Sequence, residues 1–299
     1  MTRTKAWSIK HGLLLGGGLA LVGLLLQFLL GPIDWQLISW PVNVYLLLFF
    51  VMLVVALHLM RGAFFPVRWL TSLPAAIGVL LWITAITLVM GLVKQLPSTQ
   101  PPADALGITR MLSFWPFVLL YGWLALSLAL VVLQRLLSFK WRNVPFLLLH
   151  GGILVSLLTA TLGSADMQRM KLITTVGATE WRAYNQQEEM VELPIAVELN
   201  RFIMEQYDDG SPKRYASDVN IYTKSGKNFH ATVDVNKPIK VDGWKIYQYG
   251  YDTAAGPESR ISILELVSDP WLPAVYAGIA MMLAGAFTLL FISRKTKED

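Results

Sequence analysis

The sequence predicts an α-helical integral membrane protein of six transmembrane helices with an inserted all-β extracytoplasmic domain. Three observations carry this. Of 299 residues, 55% are hydrophobic and only 15% are charged, whereas soluble domains carry about 25% charge. Six stretches of roughly twenty residues, about the length that crosses a bilayer as a helix, contain no Asp, Glu, Lys or Arg. Between the fifth and sixth, continuous apolar runs give way to alternation punctuated by turn residues.

The six uncharged runs are 11–30, 41–60, 70–93, 115–134, 145–163 and 271–293. The first follows Arg3, Lys5 and Lys10, as a secretory signal would. Its apolar stretch is too long for one, and no small-x-small site precedes Gly31-Pro32, so it reads as a retained helix. The expected organisation is a membrane region over 1–163, an extracytoplasmic domain over 164–269, and a last helix with a cytoplasmic tail over 270–299.

Orientation follows from short-loop charge. The N-terminus, the loop with Arg61 and Arg68, the loop with Arg135, Lys140 and Arg142, and the C-terminus with Arg294, Lys295 and Lys297 hold 11 basic residues. The alternate short loops hold only Lys94 and Arg110. Both termini are therefore expected in the cytoplasm, the long segment outside, and the chain as a multi-pass protein of the cell inner (cytoplasmic) membrane, in contact with lipid. The long segment has 16 acidic and 12 basic residues, so the net +5 reflects topology and is no footprint of nucleic acid. The polar loop from Pro97 to Pro102 reads as a connector.

In the long segment, Ile195–Asn200, Asp218–Thr223, Phe229–Val235, Trp244–Tyr249 and Arg260–Val267 read as strands. Turn signals separate them, among them Asp208-Asp209-Gly210, Ser225-Gly226, Asn236-Lys237-Pro238, Asp242-Gly243 and Gly256-Pro257. Such spacing suggests an antiparallel sandwich or open barrel. Trp244, Tyr247, Tyr249 and Tyr251 read as a core face with surface aromatics, the alternative being a set that stacks on a ligand.

With no Cys, disulfides, thiolate metal sites, a thiol nucleophile and covalent haem attachment through Cys-x-x-Cys-His are excluded. Four histidines remain. His11 reads as interfacial and His230 as an ordinary strand residue. His58 and His150 differ, because each sits inside an uncharged helix, where an unpartnered imidazole is costly. His58 precedes the cytoplasmic end of its helix by about 4–5 Å, and His150 lies about 7–8 Å in from the same side. Two imidazoles at matched depth suit a b-type haem; the alternative is hydrogen bonding to neighbouring helices. Gly151-Gly152 would admit a flat cofactor or, more simply, another helix.

Phe146–Gly163 (FLLLHGGILVSLLTATLG) resembles the histidine-bearing helix of the ResB-type (CcsB) family. Tyr215–Asp252 (YASDVNIYTKSGKNFHATVDVNKPIKVDGWKIYQYGYD) is similar to that family's most characteristic block, and Asp269-Pro270-Trp271 to its approach to the final helix. The stretch Gly31-Pro32-x-x-Trp35…Trp40-Pro41-Val42-Asn43 resembles the N-terminal region of some variants. The resemblance implies system II cytochrome c maturation, in which ResB-type and CcsA-type subunits carry haem outward to apocytochrome c. It implies that His150 is an axial ligand to the iron of non-covalently bound haem b, with the second ligand from the CcsA-type partner. The tryptophan-rich WWD motif of that partner is absent from the sequence, so a separate subunit is expected, and this chain reads as a non-catalytic subunit of the haem-attachment complex. Two other readings stay open: a b-type haem electron-transfer subunit using His58 and His150 together, and a membrane scaffold presenting a β-domain.

Overall fold

The computed structural model describes residues 7–97 and 100–295, with side chains through Leu290. Arg3, Lys5 and Lys297, which enter the charge count, and Ser98 and Thr99 of the connector lie outside the described residues. The chain forms two compact units, Met1–Asp166 with Trp271–Asp299, and Met167–Pro270.

The first unit is helical: α1 (Ile9–Leu30), α2 (Val42–Met60), α3 (Phe65–Leu70), α4 (Leu73–Leu92), α5 (Trp115–Leu137), α6 (Val144–Gly163) and α7 (Leu272–Lys295). All but the short α3 contain a stretch long and apolar enough to cross a membrane. Prolines at the first turns of α4, α5 and α6 cost no hydrogen bond there, since those N–H groups have no intrahelical acceptor. Large apolar side chains face outward, with Leu92 87% and Phe28 71% exposed. Water would penalise such surfaces at about 25 cal/mol per Å²; hydrocarbon does not. The chain is a multi-pass membrane protein.

Apolar burial between helices is weak in lipid, so close backbone approach and polar clamps must hold the bundle. A Cβ at Gly12 of α1 would lie 3.0 Å from the Gly78 Cα of α4, and one at Gly152 of α6 would lie 2.6 Å from the Gly278 carbonyl oxygen of α7. The Trp82 indole of α4 donates to the Leu13 carbonyl of α1 at 3.0 Å. The Tyr121 hydroxyl of α5 donates to the Leu157 carbonyl of α6 at 2.9 Å and meets the Thr161 hydroxyl at 2.7 Å.

The second unit is one antiparallel sheet of β1 (Gln168–Thr175), β2 (Thr179–Tyr184), β3 (Met190–Gln206), β4 (Pro212–Thr223), β5 (Asn228–Asp234), β6 (Ile239–Val241), β7 (Trp244–Tyr251) and β8 (Ile261–Ser268), in the order β5-β4-β3-β2-β1-β8-β7-β6. The sheet curls into a barrel-like form around one core, in which Leu172, Val197, Leu199, Val219, Ile221, Val233, Ile246, Leu264 and Leu266 are fully buried. Ser217 of β4 donates to Gln248 of β7 at 2.6 Å and bonds the Ser262 hydroxyl of β8. These strands are far apart in the sheet order, so the bonds cross the interior. Asp242 and Gly243 both have positive φ and close the β6–β7 hairpin in the mirror-image turn that matches strand twist. Strands β1, β2 and β6 are additional to those read from the sequence. Trp244 is buried and Tyr249 half exposed with the Lys171 ammonium 4.2 Å above its ring.

Candidate functional site

His150 sits on the second turn of α6. Its Nδ1 lies 3.1 Å from the Phe146 carbonyl oxygen one turn back. A carbonyl only accepts, so Nδ1 carries the proton and Nε2 keeps its lone pair. The ring stacks on Phe146 at 3.8 Å between centroids, and the Arg135 guanidinium of α5 lies 5.0 Å over that phenyl ring. Backbone and ring together fix tautomer and orientation, as the tethering bond of a ligating histidine does. The donor set therefore fits an axial nitrogen for haem iron.

His58, on the last turn of α2, is half-buried, and its imidazole makes no hydrogen bond among the described residues. Its level relative to His150 follows from a junction at the opposite ends of the two helices. Asn43, fully buried at the start of α2, donates to the Leu162 carbonyl at the end of α6 at 3.1 Å and to Asp166 at 2.7 Å. Counting roughly fifteen residues, or about 22 Å of helix, from that junction reaches His58 on α2 and 147–151 on α6. Val54 and Leu154, each one turn from its histidine on the same helix face, join one apolar cluster around Ala129 and Leu130 of α5. The two histidines thus share a level, on faces that turn toward α5.

Gly151 and Gly152 are occupied otherwise. Gly152 abuts Gly278 and Met282 of α7, and a Cβ at Gly151 would touch Met281; the pair serves helix packing. His11 belongs to the start of α1, where its Nδ1 accepts the Ser8 N–H at 3.0 Å and its ring stacks on Trp7. His230, in the β-unit, bonds Asp218.

Sequence reasoning missed Asp166. Its carboxylate accepts from the Trp40 N–H, the Asn43 amide and the Trp271 indole, each at 2.7 Å. It ties the entrance of α2, the end of α6 and the approach to α7 into one node. Burial pushes its carboxyl up, and the three donors more than offset that, holding it below the usual aspartate range. The only sequence signal was the company of Trp40, Asn43 and Trp271, scattered over more than 200 positions.

Residues 139–261 match the model of the ResB-like family. Cytochrome c biogenesis proteins CcsB of Prochlorococcus marinus strains NATL1A and NATL2A are each 27% identical over 109 residues, 36% of this chain and 25% of theirs. The match thus spans about a quarter of the length of these relatives. Among solved structures, the cytochrome c haem lyase CcmF aligns with 83% of this chain and 45% of its own at 15% identity, with a TM-score of 0.36. From the helix that carries His150 through most of the β-unit, the chain is similar to the ResB-like family.

Proposed function

We propose that this chain is the ResB-type subunit of a cytochrome c maturation complex. In this reading both termini lie in the cytoplasm and the β-unit lies on the extracytoplasmic side, which the loop charges support. Haem b, the cargo, is held non-covalently in the membrane unit with His150 Nε2 on the iron. A CcsA-type subunit with the WWD motif supplies the second ligand, and apocytochrome c receives the haem. The single observation that carries the reading is the family match over 139–261, which takes in both the His150 helix and most of the β-unit. The haem brings vinyl groups that accept cysteine thiols from the apocytochrome. The chain itself presents one tautomerically fixed nitrogen, shields it with Phe146 and excludes water with the surrounding helices.

The test is purification with and without the CcsA-type subunit, followed by a haem spectrum and an assay of covalent cytochrome c. Haem retention and attachment that both require the pair support the proposal; attachment that proceeds without this chain overturns it. The common level of His58 and His150 favours a second reading, a b-type electron-transfer subunit with both as axial ligands. That reading requires the isolated chain to show a six-coordinate spectrum that His58→Ala abolishes as fully as His150→Ala.

A further inference from the structure

Three side chains stack in a column where α5 ends and α6 begins. The His150 imidazole lies on the Phe146 phenyl ring at 3.8 Å between centroids, with 16° between the two planes. The Arg135 guanidinium, from the last turn of α5, lies 5.0 Å from the centroid of the same phenyl ring. A parallel imidazole at that spacing covers one face of the phenyl ring, so the guanidinium stands at the other. Phe146 precedes His150 by one turn, and the column therefore runs from His150 toward the end of the bundle where α6 starts.

Most of the hydrogen-bonding capacity of Arg135 is unspent. Contact with a ring face consumes none of the five guanidinium N–H donors. Nη1 donates to Asn143 Oδ1 at 3.2 Å, the side chain is exposed, and no carboxylate pairs with it among the described residues. The acids among the described residues of the membrane unit are Asp34, Asp104 and Asp166. Asp104 precedes α5 and Asp166 follows α6, at the far ends of both helices. Asp34 follows α1, whose Gly23 abuts Pro116 at the start of α5, and so lies at that far end too. Loop-charge bias accounts for a cation at this end of α5. It does not account for a cation placed on the very ring that carries His150.

An axial imidazole holds iron in its own plane, and the porphyrin stands perpendicular to the iron–nitrogen bond. The normal to the imidazole therefore lies parallel to the porphyrin plane. A porphyrin on His150 Nε2 extends one edge along the column, past Phe146 and toward Arg135. Its propionates are carboxylates, the groups that a guanidinium fork fits. We propose that Arg135 binds a haem propionate and thereby sets the polarity of the bound porphyrin. The propionate edge then faces the end of α5, and the half that bears the vinyl groups faces the far end of α6. The anchor rests on the reading of His150 as a haem ligand and deepens it: the groups that accept cysteine thiols point toward the extracytoplasmic side of that reading. Binding here is coordination and hydrogen bonding, with no covalent or redox step.

The test compares haemin with its dimethyl ester, which keeps the iron and the porphyrin faces and lacks the carboxylates. Both are titrated, by absorption, into the detergent-solubilised complex of the full chain with its CcsA-type subunit. The parent complex is expected to prefer haemin about tenfold, the worth of one charge-assisted bond. Arg135→Gln is expected to lose most of that preference and to keep the ligation spectrum. Arg135→Lys, which keeps the charge without the fork, should retain part of it, and it decides alone if the Gln variant melts early. No preference in the parent, or the full preference retained in Arg135→Gln, overturns the anchor. So does equal weakening of both ligands, which would make Arg135 a support for Phe146. Altered retention of anionic lipid with the haemin preference intact assigns the guanidinium to a lipid phosphate and likewise overturns it. His150→Ala separates this inference from the reading beneath it. No haemin uptake by the parent, or a spectrum that His150→Ala leaves unchanged, removes the membrane haem site altogether. A spectrum lost in His150→Ala, with the preference untouched in Arg135→Gln, keeps the ligand and removes the anchor alone.

Discussion

The membrane unit and the β-unit use the same apolar residue types in opposite ways. In the β-unit, Leu172, Val197, Leu264 and Leu266 are fully buried, and removal of their surface from water drives the fold. In the membrane unit, Leu92, Phe28 and Leu59 face outward; small apolar clusters such as Trp69, Val79, Leu120 and Trp123 are buried, and helices also meet at small residues, such as Gly12 on Gly78, or through polar clamps such as Trp82 on Leu13. The contrast shows where each unit is vulnerable. The barrel depends on volume in its core. The bundle depends on a handful of hydrogen bonds whose loss leaves donors with no water to turn to.

The variant expected to act most strongly is His150→Ala, which should abolish haem retention in the complex, with exogenous imidazole restoring it. His58→Ala should cost far less if the partner supplies the second ligand. Equal losses from the two would shift the comparison toward a haem site wholly within the bundle.

Next comes Asp166→Ala. It strands the Asn43 amide and the Trp271 indole and should lower bundle stability by about 2–4 kcal/mol, read as an earlier melt in detergent, with Asp166→Asn milder. The folded carboxyl titrates below its unfolded value of about 3.9, so its contribution is complete above that pH and lost as pH falls through the folded value. A melt independent of pH between about 5 and 2 would remove Asp166 from the account.

Ser217→Ala in the barrel should cost about 1–2 kcal/mol, less than Asp166→Ala, because Gln248 and Ser262 still bond each other at 2.9 Å. An equal or larger loss would mean that interior polar groups matter as much in the barrel as in the bundle. The smallest effect belongs to Lys171→Ala, which removes an exposed ammonium from above Tyr249 and should shift barrel stability by roughly 0.5 kcal/mol, measurable as a small change in denaturation midpoint.

The sequence by itself determined the six apolar helices, because an uncharged run of about twenty residues has few other stable settings. It also located the β-rich segment and turns such as Asp242-Gly243, whose positive φ values are a local matter. Strands β1 and β2 escaped it because their buried faces are thin: Leu172 shares the β1 interior with Thr174, and Ala183 alone is buried on β2, so apolar alternation is nearly silent. The short α3 has too few residues to show a period. Of the site, the placement of His58 and His150 in apolar helices was legible, and so was the simpler packing reading of Gly151-Gly152. Tertiary structure alone decided that Asp166 gathers Trp40, Asn43 and Trp271, that the faces of His58 and His150 turn toward α5, that Ser217 meets Gln248 and Ser262 across the barrel, and that a bulge turns Asn200 and Arg201 onto the carboxylate that holds His230. Each of these joins residues from different helices or strands, in several cases more than a hundred positions apart. Such pairings follow from which surfaces meet after the chain has closed on itself, and the period of a single helix or strand carries no record of them.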